Sequence, residues 1–163
     1  MKHITYLIIG IAVTVLFFIL SCTDGFNIYE QMFFNQGFND KMYNLNMYPV
    51  IAAITIIIAW GGAAIYYYAI NSVKFDRWYH WLAILAVVAV LAPVVCYIYN
   101  DTVFANNGLM YIGESIQFEM QTILFAALLY ISLPTRCAGG AVTAVTHHCH
   151  NKALSYRVTT IKI

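Results

Sequence analysis

Four long apolar stretches, with nearly all of the charged residues placed between them, constrain this chain more than any motif it carries. They cover about residues 4–21, 49–70, 79–98 and 114–133. A bilayer core about 30 Å thick takes about 20 apolar residues of α-helix at 1.5 Å per residue, so each stretch is close to spanning length. Counting the connections alternately from the N-terminus sorts the charges by side. Lys2, Lys74, Arg77, Arg136, Lys152, Arg157 and Lys162 fall on one side, and Lys41 on the other. Asp24, Glu30, Asp40, Asp101, Glu114 and Glu119 oppose a lone Asp76. Basic residues in short connections stay on the cytoplasmic side, which places both termini there. The expected fold is all-α: a four-transmembrane-helix bundle forming one polytopic domain over 1–163, with a basic cytoplasmic tail over 134–163.

With 62% hydrophobic and 9% charged residues, the chain departs far from a soluble domain, in which about a quarter of residues are charged. The net charge of +1 is spread over three connections and gives no nucleic acid a surface to bind. No Gly-rich phosphate loop, HExxH or CxxC pair occurs, so neither an enzyme nor a cofactor is expected.

The first stretch begins Met1-Lys2-His3 and ends Phe17-Phe18-Ile19-Leu20-Ser21-Cys22-Thr23-Asp24. It resembles a bacterial lipoprotein signal, in which a small residue precedes a Cys that is lipidated after cleavage. The resemblance implies a bacterial inner-membrane protein. Leu20 stands where the signal usually has a small or β-branched residue. The charge arrangement works with the segment retained, so an uncleaved first helix is the reading carried forward.

Residues 23–49 are neither apolar enough to span nor polar enough for a simple loop. Phe26, Tyr29 and Phe33 follow i, i+3, i+7, which predicts a short amphipathic helix in the outer interface, ended near Asn35-Gln36-Gly37. It either packs over the bundle or meets a neighbouring subunit. The second outer connection, Tyr99 to Gly108, reads as a turn-rich loop. Its Asn100-Asp101-Thr102 matches a glycosylation acceptor, set aside because the first segment points to bacteria.

Tyr66, Tyr67 and Tyr68 on one side of residues 71–77, and Trp78, Tyr79 and Trp81 on the other, form an aromatic belt joining antiparallel neighbours. Ala59, Gly61, Gly62 and Ala63 predict close helix packing, with Ala59 and Ala63 in small-xxx-small spacing. Ala83, Ala86, Ala89 and Ala92 form a second small stripe, and Pro93 is expected to kink the third helix. His80 reads as an interfacial residue, because a haem between helices usually needs a second axial ligand that no span offers.

Cys22 and Cys96 lie at similar depth and are compatible with a disulfide if their helices adjoin. Four-helix thiol oxidases use outward cysteines of this kind, but with a CxxC pair this chain lacks; a redox or lipid-acting enzyme is a remote alternative. Cys137, His147, Cys149 and His150 have metal-compatible ligand types, yet they cluster too tightly for a usual zinc motif. The tail reads more simply as a basic segment against the anionic inner leaflet.

In the fourth stretch only residues 123–131 are uninterrupted apolar sequence, about 13 Å of helix. Glu114, Gln117 and Gln121 repeat at i, i+3, i+7, and Ser115, Glu119 and Thr122 at i, i+4, i+7, leaving Ile116, Phe118 and Met120 to meet lipid or neighbours. An ionised carboxylate there costs several kcal/mol unless water, a partner or a proton relieves it. Either Glu119 is hydrogen-bonded to other helices, or the acids line an outer vestibule shared by several subunits, or they relay a proton. Glu rings would make such a vestibule favour cations. Two functions follow from different classes. One is a homo-oligomeric pore or channel with an acidic outer vestibule. The other is a non-catalytic membrane subunit anchoring a larger envelope complex, such as a secretion or motility apparatus, with lipid around it and a cytoplasmic partner on its tail.

Overall fold

The apolar stretches form helices, but the ends of those helices and the segments between them depart from the pattern read in the sequence. The computed structural model describes residues 2–23, 26–66 and 78–133. Among them are six helices and no strands: α1 (Lys2–Cys22), α2 (Ile28–Met32), α3 (Gln36–Asn44), α4 (Met47–Ile65), α5 (Trp78–Asn106) and α6 (Ile112–Ser132). Three of them, α4, α5 from Tyr79 onward and α6, are long and apolar enough to cross a membrane. Helix α1 is 21 residues long, and its stretch Leu7–Cys22 is likewise apolar. Helix α5 packs most extensively on α6 and next on α4, α4 and α6 close the trio, and α1 lies against α4 and α6. The outer faces are apolar. Ile112, Ile116, Met120, Leu124 and Leu128 form an exposed row at i+4 along α6, and Val87, Val90, Leu91, Val94 and Ile98 are exposed on α5.

Helix α5 does not stop at residue 98. It is 29 residues long, about 43 Å at 1.5 Å per residue, and so outruns a hydrocarbon core of about 30 Å. Cys96, Asn100 and Phe104, spaced i, i+4, i+8, are buried on its inner side, which favours continued helix where the sequence suggested a loop. The turn comes later, at Gly108, whose φ of 67° is the left-handed conformation a glycine adopts without steric cost. There Leu109 N–H donates to Phe104 O at 2.9 Å and Gly108 N–H to Ala105 O at 3.1 Å, the double closure of a Schellman motif. Pro93 lies inside α5, which runs on through it.

The first connection holds two short helices rather than one. Asn27 Oδ1 accepts from Tyr29 N–H at 2.9 Å, capping α2, while its Nδ2 donates to Ser21 O at 2.7 Å at the end of α1. Phe26 precedes α2 and is exposed, and Phe33 is its C-cap, so the predicted aromatic face breaks up and only Tyr29 is fully buried. Asn35-Gln36-Gly37 starts a helix instead of ending one. Asn35 Oδ1 accepts from Phe38 N–H at 3.3 Å, because an Asn caps an N-terminus as readily as it marks a stop. Phe38 and Met42 then bury one face of α3, and the Tyr43 hydroxyl donates to Glu30 Oε2 at 2.8 Å, tying α3 to α2.

Together α2 and α3 cap one end of the helices over an aromatic core. The Tyr29 ring meets Phe125, Phe118, Phe17 and Tyr48 at centroid distances of 4.9, 5.2, 6.1 and 6.2 Å. Phe118, expected to face lipid or neighbours, is fully buried here.

Of the small residues, Ala59 and Gly62 are buried and Ala63 is partly so. A Cβ on Gly62 would stand 2.3 Å from Val88 Cγ2, so only glycine allows α4 and α5 to approach this closely. Gly61 faces outward, with nothing within 4 Å of where its Cβ would be. On α5, Ala92 is buried while Ala83 and Ala86 are exposed. The belt residues Tyr67 and Tyr68, residues 71–77, and the tail with Cys137, His147, Cys149 and His150 lie outside the described residues.

Candidate functional site

Beneath the cap, four helices direct polar side chains into a space closed to solvent. Helix α6 carries the row Ser115, Glu119 and Thr122 inward, all buried. The second row is divided: Glu114 is half-buried, Gln117 exposed and Gln121 buried. The difference is α2, which lies over Gln121 and leaves Gln117, one turn nearer the helix start, uncovered. With its amide oriented as those neighbours require, Gln121 donates to Tyr29 O at 3.1 Å and accepts from Phe33 N–H at 3.1 Å. It latches the cap to α6.

Glu119 is 5% exposed, and its Oε1 accepts from Asn100 Nδ2 of α5 at 2.7 Å. Thr122 stands beside it one turn further along α6, and Cys96 of α5 and Tyr29 of α2 lie within electrostatic reach. From α4, Thr55 Oγ1 donates to Ile51 O at 2.8 Å and lies 3.8 Å from Cys96 Sγ, while the Tyr29 hydroxyl faces it. Burial pushes the Tyr29 hydroxyl well above its ordinary titration range and keeps it neutral. Despite this crowding, Tyr29 Oη, Asn100 Oδ1, Glu119 Oε2 and Thr122 Oγ1 are buried without a well-formed hydrogen bond: the Thr122 hydroxyl lies beside Glu119 and the Tyr29 hydroxyl beside Thr55, but neither pair reaches hydrogen-bonding geometry. Buried polar atoms are paired as a rule, and each exception calls for an explanation.

Cys22 and Cys96 are both free thiols in this structure. Cys22 is half-buried at the rim of a small recess of about 50 Å³ shared with Ser21, Met42, Tyr43 and Tyr48, whereas Cys96 is fully buried against Thr55. Lys41, the basic residue expected to oppose the acids on this side, is exposed on α3, away from the buried Glu119. The His80 ring lies tilted against Tyr79 at a centroid distance of 4.2 Å near the start of α5. No group of three or more His, Cys, Asp or Glu able to hold a metal ion occurs among the described residues.

The sequence pointed to Glu119, Gln121 and Thr122 but not to their partners. Asn100 was hidden in a supposed loop, although its i, i+4, i+8 register with Cys96 and Phe104 marks it as an inward helical residue. Its amide is fully buried and bonded to Glu119, which closes it to glycosylation. Tyr29 and Thr55 carry no sequence signal that separates them from ordinary core residues. No family model matches the chain, and neither a curated protein nor a solved structure matches it.

Proposed function

We propose that this chain is a four-span integral membrane protein of the bacterial inner membrane, with both termini cytoplasmic, that serves as a non-conducting, non-catalytic subunit anchoring a larger membrane assembly. Three apolar helices of spanning length support the membrane placement, and α1 is the fourth span in this reading. Lipid tails are as apolar as leucine, so an exterior of Ile, Val, Leu and Met suits direct lipid contact or packing on neighbouring apolar helices.

One observation carries the choice between subunit and pore. The acidic vestibule read in the sequence needs Glu119 and its polar neighbours on an accessible face. Here Glu119 is closed in by Asn100, and Gln121 is used to hold α2, so the polar row of α6 is occupied inside the protomer. Glu114 and Gln117, at the accessible start of α6, are too few and too near the helix end to line a passage.

Planar-bilayer recording of the purified protein tests the reading. The expected trace is the protein-free baseline. A cation-selective current that Gln117→Leu or Glu114→Gln reduces would establish the pore instead. Extraction at native abundance, followed by mass measurement of the solubilised particle, is expected to give a fixed assembly with non-identical chains.

A further inference from the structure

We propose that Glu119 Oε2, Asn100 Oδ1 and Thr122 Oγ1 form a buried site for one small monovalent cation, a proton or a sodium ion, which neutralises the Glu119 carboxylate inside the helical core. The site is defined by what faces what. Asn100 Nδ2 is committed to Glu119 Oε1 at 2.7 Å, and this fixes the amide so that its Oδ1 can only accept. Glu119 Oε2, unless protonated, is also an acceptor, and neither atom has a donor in hydrogen-bonding geometry, the Thr122 hydroxyl beside Glu119 included. Asn100 and Thr122 are fully buried and Glu119 nearly so, so bulk water does not make up the deficit. Among the described side chains the basic ones are Lys41, exposed on α3, and His80, about 30 Å along α5 from Asn100. Among the described residues nothing charged within the core balances the carboxylate.

A positive species between these oxygens satisfies them together. A proton on Glu119 Oε2 donates to Asn100 Oδ1 or Thr122 Oγ1. A sodium ion takes the same hard oxygen donors. The charge is set by the carboxylates available. Glu119 is the acid in the cluster, while Glu114 is half-buried and Asp101 exposed, so one positive charge completes the balance. Among the described residues, the groups within reach of Glu119 from neighbouring elements are Tyr29 of α2 and Asn100 and Cys96 of α5, with Thr55 of α4 behind Cys96; none is a cation.

Two measurements on the full-length protein in detergent at neutral pH test the site and separate the two ions. The first is infrared difference spectroscopy of wild type against Glu119→Gln in sodium-free choline buffer. The second is thermal unfolding during a sodium titration against choline at constant ionic strength. A neutral-carboxyl carbonyl band that Glu119→Gln removes means that the site holds a proton. A saturable, sodium-specific rise in Tm means that it holds sodium; Glu119→Gln is expected to abolish the rise, and Thr122→Val to weaken the apparent affinity about tenfold. An ionised Glu119 band together with no sodium response would overturn the proposal. The carbonyl band and the sodium response are both present or absent in wild type itself, so they decide the matter even where a variant fails to fold.

Discussion

The two ends of α6 belong to the same helix and are held in place by different surroundings. From Ser115 to Thr122, at the capped end, its inner face meets Tyr29, Asn100 and the α2 backbone, and polar atoms are buried with it. From Ile123 to Ile131 it is uninterrupted apolar sequence: Phe125, Ala126 and Leu129 pack inward while Leu124, Leu128 and Ile131 are left bare. At the capped end, protein surrounds polar groups that water would otherwise hold, and every atom must find a partner or cost about 1–3 kcal/mol. At the other end, lipid is an adequate neighbour for any alkyl side chain, and the geometry needs only close approach, as at Gly62. Specificity is concentrated under the cap, and tolerance at the exposed apolar surface.

That contrast can be broken by substitution. The largest loss is expected for Tyr29→Ala, which removes the ring on which Phe17, Tyr48, Phe118 and Phe125 converge. Truncating a buried aromatic costs about 3–5 kcal/mol, and a matching drop in unfolding free energy in detergent checks it. Next is Asn27→Ala, which strips a cap and a bond to Ser21 O, expected at about 1–3 kcal/mol by the same measurement. Limited proteolysis of this variant should cut first within α2 and α3 if the cap opens as a unit.

Within the opposite half, Gly62→Val should cost about 1–3 kcal/mol by forcing Val88 out of its place. Gly61→Ala, in open space one residue away, should stay within about 0.5 kcal/mol. Equal effects from the two glycines would show that α4 and α5 do not meet as described. The smallest effect is expected for Leu128→Ala on the exposed row of α6, also within about 0.5 kcal/mol. A larger loss there would reveal a protein neighbour in place of lipid.

The helices were legible because length and hydropathy alone decide what a bilayer accepts, and α4, α5 and α6 follow from that. Their ends were less so. Asn100 and Asn35 are both polar residues in polar surroundings, and the sequence suggests a break at each. One instead faces Glu119 in mid-helix, and the other caps a new helix. The polar row of α6 was visible as spacing, and the burial of Glu119 against other helices was one of three open choices. The cover over Gln121 depended on where α2 lands.

By itself the sequence determined an all-helical, membrane-compatible chain, because a run of apolar residues has the same physical meaning in any fold. Tertiary structure alone decided that Tyr29, Thr55, Asn100 and Glu119, drawn from α2, α4, α5 and α6, share one buried space. Periodicity describes one helix at a time. Which faces close on one another depends on the packing of Gly62 against Val88 and of the cap over Phe118, contacts between residues far apart in the chain.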